Sequence, residues 1–202
     1  MYISKQVPKC DYIVKVPVIG ARGCGKTNFI SRFCFDDYLG YPKETIGIDF
    51  STTNLVKSGK QIKVQFWDAI IPEKDGDSIR QLCAQGAIAI IFTYSITDSL
   101  SLEYVQKEIS RMKKNNLISD YTLIYLIGTK ADMREEQKVD TEKAKSLSED
   151  MKATFLEVSA RNRTGISEFE SLLGGSIMEV ISRQETGSKD NMVNKFYKIL
   201  NN

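Results

Sequence analysis

The chain has 202 residues, a hydrophobic fraction of 42% and a formal net charge of +2, which predict one globular domain with a sizeable core. So small a net charge is against a surface that binds nucleic acid chiefly through its phosphates. The four cysteines show no C-x-x-C spacing and histidine is absent, which excludes Cys/His zinc sites and catalytic triads with a histidine base.

In chain order, strand-like and helix-like patterns alternate. Strands are predicted at 12–19, 47–56, 61–67, 87–94, 121–127 and 154–158. Helices are predicted at 28–35, 100–114, 140–151 and 166–181. The turn 57–60, Lys-Ser-Gly-Lys, marks a hairpin between the second and third strands, and Asp140 or Thr141 caps the third helix.

This alternation predicts an α/β fold: a P-loop nucleotide-binding fold with a six-stranded, mostly parallel sheet and helices on both faces. The domain is expected to span 11–184, after an N-terminal extension, 1–10, and before a linker with a short C-terminal helix, 185–202. Ligands of such sheets lie at the carboxyl ends of the strands.

The segment 20–27, G-A-R-G-C-G-K-T, fits the phosphate-binding pattern G-x-x-x-x-G-K-[ST] between a predicted strand and a predicted helix. Its glycines let backbone N–H groups converge on phosphate oxygens, and Lys26 supplies a positive charge. The Thr27 hydroxyl can bind Mg²⁺, and the helix N-terminus favours an anion. The loop predicts a nucleoside triphosphate site but does not choose between GTP and ATP, or between a switch, a kinase and a motor.

Further motifs follow in a fixed order: T-I-G-I-D-F at 45–50, W-D at 67–68, T-K-A-D at 129–132 and S-A-R at 159–161. With these motifs the chain resembles the small GTPases of the Ras superfamily, most closely the Rab branch, over residues 11 to about 184. The resemblance implies a guanine-nucleotide-binding molecular switch of vesicle trafficking that hydrolyses GTP, with GTP or GDP and Mg²⁺ as its ligands.

Roles for individual residues are likewise implied by the resemblance. Thr27 and Thr45 would bind Mg²⁺ directly and Asp68 through water; Asp132 would accept from guanine N1–H and the 2-amino group. Thr129 replaces the commoner asparagine, as in the Rho branch. The implied nucleotide contacts are Gly20, Arg22, Gly23, Cys24, Gly25, Lys26, Thr27, Asn28, Tyr38, Thr45, Thr129, Lys130, Asp132, Ser159, Ala160 and Arg161.

The chain departs from the family after Asp68, where A-I-I-P-E at 69–73 stands in place of T-A-G-Q-E. Ile71 replaces a glycine whose N–H meets the γ-phosphate. Pro72 replaces the glutamine that orients the attacking water, and proline has neither a side-chain amide nor an N–H. We therefore predict that nucleotide binding survives and that GTP hydrolysis is weak or absent.

The phosphate-binding loop, 20–27, which we call the first loop, departs from the family pattern as well. So does the segment 36–50, which we call the first switch. Arg22 lies where relatives carry glycine or serine, and Pro42 replaces a tyrosine that caps the phosphates. Lys26 and Thr45 are the candidate catalytic residues, and Arg22 is a third candidate: it either crowds the γ-phosphate or supplies charge to it in cis.

Two functions stay open. One is a switch or slow timer with effector or regulatory proteins at 36–50 and 69–86. The other is a nucleotide-loaded, non-switching scaffold (a pseudo-GTPase), with one G domain of a longer protein as a further option. A nucleotide kinase would need an arginine-rich lid, which the sequence lacks.

No cysteine lies near residue 202, so no prenylation signal or intrinsic membrane anchor is expected. The predicted location is cytoplasmic, with attachment to endomembranes through a partner as a further option.

Overall fold

The computed structural model describes residues 10–40, 42 and 44–186 of the chain. Its strands are β1 (Tyr12–Gly20), β2 (Ile48–Lys57), β3 (Lys60–Ala69), β4 (Ala89–Ser95), β5 (Leu123–Thr129) and β6 (Thr154–Glu157). Its α-helices are α1 (Lys26–Phe35), α2 (Asp77–Ala84), α3 (Ser99–Lys114), α4 (Thr141–Met151) and α5 (Ile166–Thr186), with a 3-10 turn at Arg134–Glu136. Residues 1–9 of the predicted extension and 187–202 of the predicted tail lie outside the described residues.

The six strands form one sheet in the order β2-β3-β1-β4-β5-β6. β2 runs antiparallel to β3, and every other neighbouring pair is parallel. The predicted fold, a six-stranded and mostly parallel sheet with helices on both faces, is confirmed. Because β1 is central, the loop that follows Gly20 emerges in the middle of the carboxyl edge, where a ligand is expected.

Each face of the sheet has its own apolar core. On one face, α1 and α5 meet through Phe29 and Phe169, whose ring centroids are 5.3 Å apart, and Tyr125 of β5 contacts the same Phe169 ring. On the other face α3 packs against β4, every residue of which is buried, while α2 contacts β3 and α4 contacts β5 and β6. None of the described helices is both long and apolar enough to span a bilayer.

The structure corrects several boundaries. α2 was not predicted: Ile79, Leu82 and Cys83 do recur at helical spacing, but the element has only eight residues, about two turns. The last helix runs to Thr186 rather than ending at 181, so it includes the first two residues of the predicted linker. The strand predicted from residue 87 begins at Ala89 and that predicted from 121 begins at Leu123. The cap of α4 is Asp140, whose carboxylate accepts from the N–H of Glu142 at 2.9 Å.

Candidate functional site

A cavity of about 430 Å³ opens at the carboxyl edge of the sheet, beside the loop between β1 and α1. The sequence-predicted residues that line it are Arg22, Gly23, Gly25, Lys26, Thr27, Asn28, Tyr38, Thr45, Thr129, Lys130, Asp132, Ala160 and Arg161. The other four, Gly20, Cys24, Asp68 and Ser159, do not line it. Each of these four is bonded instead to a residue that does.

The loop before α1 requires glycine at two places for different reasons. Gly25, the residue before α1, has φ +99°, and a Cβ there would stand 3.2 Å from the Thr129 hydroxyl. At Gly20 a Cβ would lie 2.3 Å from the Thr93 hydroxyl. The loop can therefore approach β4 and β5 closely, which leaves the N-terminus of α1 open to the cavity.

The Lys26 side chain is buried inside this loop. Its ammonium donates to the carbonyl oxygens of Gly20 and Ala21 at 2.9 and 3.0 Å. These bonds offset the cost of burying the charge. The same ammonium borders the cavity, where it can bind phosphate oxygens.

Two hydroxyls and one carboxylate converge at the phosphate end of the cavity. The Asp68 Oδ2 atom accepts from Thr27 at 2.5 Å and from Thr45 at 3.3 Å, and the two hydroxyl oxygens are 3.2 Å apart. Thr45 thus reaches the loop from the first switch, as expected of a residue that shares an ion with Thr27. The described residues contain no cluster of three or more His, Cys, Asp or Glu side chains that could hold a metal.

A hard divalent cation fits this oxygen set. The second carboxylate oxygen of Asp68, Oδ1, is buried and has no hydrogen-bond partner among the described residues. Burial raises the pKa of Asp68, and the bond from Thr27, the charge of Lys26 and the bond from Thr45 lower it in part. A cation near these atoms would offset the cost of burying the charge, and Mg²⁺ prefers such oxygen ligands.

The opposite end of the cavity presents a fixed carboxylate. The Ser159 hydroxyl donates to Asp132 Oδ1 at 2.6 Å, and the N–H of Asn162 donates to that hydroxyl at 3.2 Å. Arg161 lies 4.0 Å from the other oxygen, Oδ2. Asp132 is thereby held in place, and its carboxylate retains lone pairs that can accept from a donor pair such as that of guanine.

Thr129 connects the two ends. Its buried hydroxyl is within bonding distance of the Cys24 carbonyl in the first loop and of the Tyr94 carbonyl, the latter at 2.9 Å. A hydroxyl has one hydrogen to donate, so it serves one carbonyl at a time. Through this side chain the segment that presents Asp132 is tied to the phosphate loop.

A third connection joins the base end to the start of the first switch. Arg32 of α1 donates through Nε to the Ala160 carbonyl at 2.6 Å and through Nη1 to the Asp36 carbonyl at 2.6 Å. Arg163 pairs with the Asp36 carboxylate at 2.5 Å. Farther along, Asn28 accepts from the N–H of Leu39 at 2.9 Å, which holds the segment that carries Tyr38.

Comparison with known proteins agrees with this geometry. The sequence model of the Ras family matches residues 15–178. The chain belongs to the Ras family. Similar proteins include Ras-related protein RABD2c of Arabidopsis thaliana, 34% identical over 89% of this chain and 88% of that protein. Rab-11A of Dictyostelium discoideum is 33% identical over 86% and 79%, and YPTC6 of Chlamydomonas reinhardtii 31% over 90% and 82%. The chain is a Rab-like small GTPase by family.

Two departures from the Ras-family pattern have clear structural positions. Arg22 forms an ion pair with Glu44 across the mouth of the cavity, and the two side chains are 66% and 55% exposed. Arg22 therefore faces the first switch. Glu44 was not singled out from sequence, because its partner is 22 positions away and no local pattern signals the pair.

The second departure is at the start of the segment 69–86, which we call the second switch. Ile71 is buried in the core that faces α3, and its carbonyl accepts from the Tyr104 hydroxyl at 3.1 Å. The carbonyl of Pro72 accepts from Arg80 at 3.3 Å. It is Ile70, not Ile71 or Pro72, that borders the cavity. This segment is consequently bonded to α2 and α3, and it presents no side-chain amide to the phosphate end.

Sequence reasoning also missed Arg80, Tyr104 and Glu108, which hold this segment. One signal was available for Glu108: it follows Val105 by three positions and precedes Met112 by four, so it lies on the apolar side of α3. A carboxylate at such a position needs a buried partner.

Proposed function

We propose that this chain binds GTP or GDP with Mg²⁺ in the cavity and acts as a Rab-like molecular switch whose intrinsic GTP hydrolysis is weak or absent. One observation supports the binding half above all. The oxygen cluster of Thr27, Thr45 and Asp68 and the fixed carboxylate of Asp132 lie at opposite ends of one cavity. A ligand with a phosphate–metal end and a base with two adjacent donors matches both ends.

Residues of this chain would then have distinct tasks. Backbone N–H groups of the loop and the Lys26 ammonium would hold the phosphates, while Thr27 and Thr45 would hold the ion, which neutralises phosphate charge when bound. Tyr38 and Lys130 would pack against the base. Arg22 would act through its pair with Glu44 on the closing of the first switch.

Weak hydrolysis is supported by what replaces the water-orienting residues. Orientation of the attacking water needs a hydrogen-bonding side chain at the γ-phosphate. Ile71 points into the core and Pro72 carries no hydrogen-bonding side chain. Positions 71 and 72 therefore offer no side chain that could position the water.

The test is to identify the nucleotide that co-purifies with the protein and then to measure single-turnover hydrolysis of bound GTP. Co-purified GTP that persists for hours with Mg²⁺ is the expected result. A rate equal to that of a Rab with the glutamine in place would refute the hydrolysis half. A protein that is empty or loaded with ATP would refute guanine binding.

A second candidate, the nucleotide-loaded scaffold, is favoured by the bonds that hold the second switch. The Tyr104–Ile71 and Arg80–Pro72 contacts use no ligand atom, so they can persist in both nucleotide states. Amide hydrogen exchange of residues 69–86 in the GDP and GTP-analogue forms separates the two functions. Equal exchange supports the scaffold, and a difference supports the switch.

A further inference from the structure

The free edge of β2 is the largest unpaired piece of backbone in the described part of the sheet. β2 is an outer strand of ten residues, whereas the other outer strand, β6, has only four. Short edge strands limit pairing with other chains, and long ones invite it. The β2 edge therefore needs an occupant or a protecting feature.

The hydrogen bonds identify which residues direct their backbone outward. The N–H of Ile70 donates to the carbonyl of Gly47 at 3.1 Å, so Gly47 faces β3. Backbone direction alternates along a strand, which places the even-numbered residues 50, 52, 54 and 56 at the free edge. In agreement, the N–H of Phe50 is bonded to the carboxylate of its neighbour Asp49 at 2.8 Å and not to β3.

The usual protections are missing from this edge. The segment 50–56, F-S-T-T-N-L-V, contains no charged residue and no proline, the two features that most often discourage edge pairing. Phe50 and Val56 are 57% and 71% exposed on the same face. The charges stand at the two ends, with Asp49 at one and Lys57 at the other.

We propose that β2 pairs antiparallel with β2 of a second copy of this chain, with the two-fold axis at Thr53. In this register Asp49 of one copy faces Lys57 of the other at both ends of the pair. Phe50 faces Val56 in the same way. The outward residues exchange their N–H and C=O bonds, and the Phe50 N–H passes from the Asp49 carboxylate to the facing carbonyl.

The neighbouring registers lack this complementarity. An axis at Thr52 places Asp49 opposite Leu55, and an axis at Asn54 places it opposite Gly59. Only the axis at Thr53 pairs opposite charges at both ends. The two six-stranded sheets then become continuous. Because Asp49 and Phe50 belong to the segment 36–50, self-pairing and the binding of a partner at that segment exclude each other.

Disulfide formation tests the register directly. Thr53 is self-paired at the axis in a non-hydrogen-bonded position, where facing Cα atoms are about 4.5 Å apart, within disulfide range. Thr53→Cys in the full-length chain should give a covalent dimer under mild oxidation. The matched control is Ser51→Cys, since Ser51 faces Leu55 and two copies of residue 51 are about 14 Å apart along the strand. The unsubstituted chain measures any background from its own cysteines.

Exchanging the charges of Asp49 and Lys57 tests whether a second copy of the chain occupies the edge of β2. Sedimentation velocity of the nucleotide-loaded chain from about 1 μM to about 1 mM should show a concentration-dependent dimer. Asp49→Lys should weaken it about tenfold or more, and Asp49→Lys combined with Lys57→Asp should restore it. A monomer over the whole range refutes the proposal. So do equal cross-linking at Ser51→Cys and Thr53→Cys, and a double variant that stays as weak as Asp49→Lys.

Discussion

Arg80 of α2 and Glu108 of α3 form a buried, two-pronged ion pair. The Arg80 Nε and Nη2 atoms lie 2.7 and 2.9 Å from the two carboxylate oxygens, and the side chains are 3% and 0% exposed. The bonds that Arg80 donates to Glu108 raise the pKa of Arg80. Arg80 also donates to Asp77 at 2.8 Å, and Glu108 also accepts from Arg111 at 2.8 Å. The second switch helix is thereby attached to the body of the domain without help from a ligand.

Removing Glu108 should therefore destabilise the protein strongly. Glu108→Ala leaves the Arg80 charge buried without its main partner, a change that typically costs about 3–5 kcal/mol in the free energy of unfolding. Urea unfolding of the nucleotide-loaded protein measures it. The control is Glu142→Ala, which breaks the exposed pair with Lys145 and should cost less than about 1 kcal/mol. Equal effects of the two substitutions would show that the buried pair has no special weight.

Restoring the missing amide should accelerate hydrolysis. Pro72→Gln supplies a group that can orient water, and we expect single-turnover GTP hydrolysis to rise about tenfold or more, because positioned groups of this kind contribute about 10²–10⁴-fold when fully engaged. Pro72→Leu, which changes the residue without adding an amide, is the control.

Ile71→Gly tests whether the backbone must also be freed. Combined with Pro72→Gln it should raise the rate further, but loss of the buried side chain should lower stability by roughly 2–5 kcal/mol. If neither variant is faster than the unsubstituted chain, the block lies elsewhere, with the Arg22–Glu44 pair as the next element to change.

Ser159→Ala should speed the release of guanine nucleotide. The Ser159 hydroxyl fixes one oxygen of Asp132 at 2.6 Å, and a hydrogen bond to a charged group contributes about 1.5–3 kcal/mol. We expect release of a fluorescent GDP analogue to become about tenfold faster. Ser119→Ala, an exposed change in the loop before β5, should leave the rate unaltered. Slow release from both variants would mean that Asp132 is held by other contacts.

Asp68→Asn should raise the stability of the nucleotide-free protein at pH 7 and remove the effect of Mg²⁺ on nucleotide binding. The folded protein holds the Asp68 proton more tightly than the unfolded chain, because burial raises its pKa above the usual 3.8. This group therefore favours folding at low pH, and that contribution is lost as the pH rises from about 4 through the raised value. In nucleotide-free protein with a chelator, Asp68→Asn should remove this part of the pH dependence and raise stability at pH 7.

The same variant should bind nucleotide with no benefit from Mg²⁺, because its carboxylate is gone. Calorimetric titration with GDP, with and without Mg²⁺, measures this. An unchanged Mg²⁺ dependence would place the ion elsewhere.

The sequence predicted the strands of the sheet and four of the five described α-helices because these depend on local patterns, whereas the cavity residues were implied by the motifs that carry the family resemblance. The hairpin at Lys57 and Lys60 is an example: the turn residues Ser58 and Gly59 both have positive φ, as a two-residue hairpin requires. What it did not predict depends on distant partners. Arg80 and Glu108 are 28 positions apart, and only the packing of α2 on α3 brings them together.

α1 contacts both ends of the cavity. Its first turn carries Lys26 and Thr27 at the phosphate end, and one side chain of its last turns, Arg32, holds the carbonyl of Ala160 at the base end. Lys26 and Arg32 are six residues apart, about 9 Å along a helix axis. The helix thus holds the two ends of the cavity at a fixed separation. A ligand of this cavity would then be selected by its span as well as by its groups, because a molecule too short to reach from one end to the other would lose the contacts of one end.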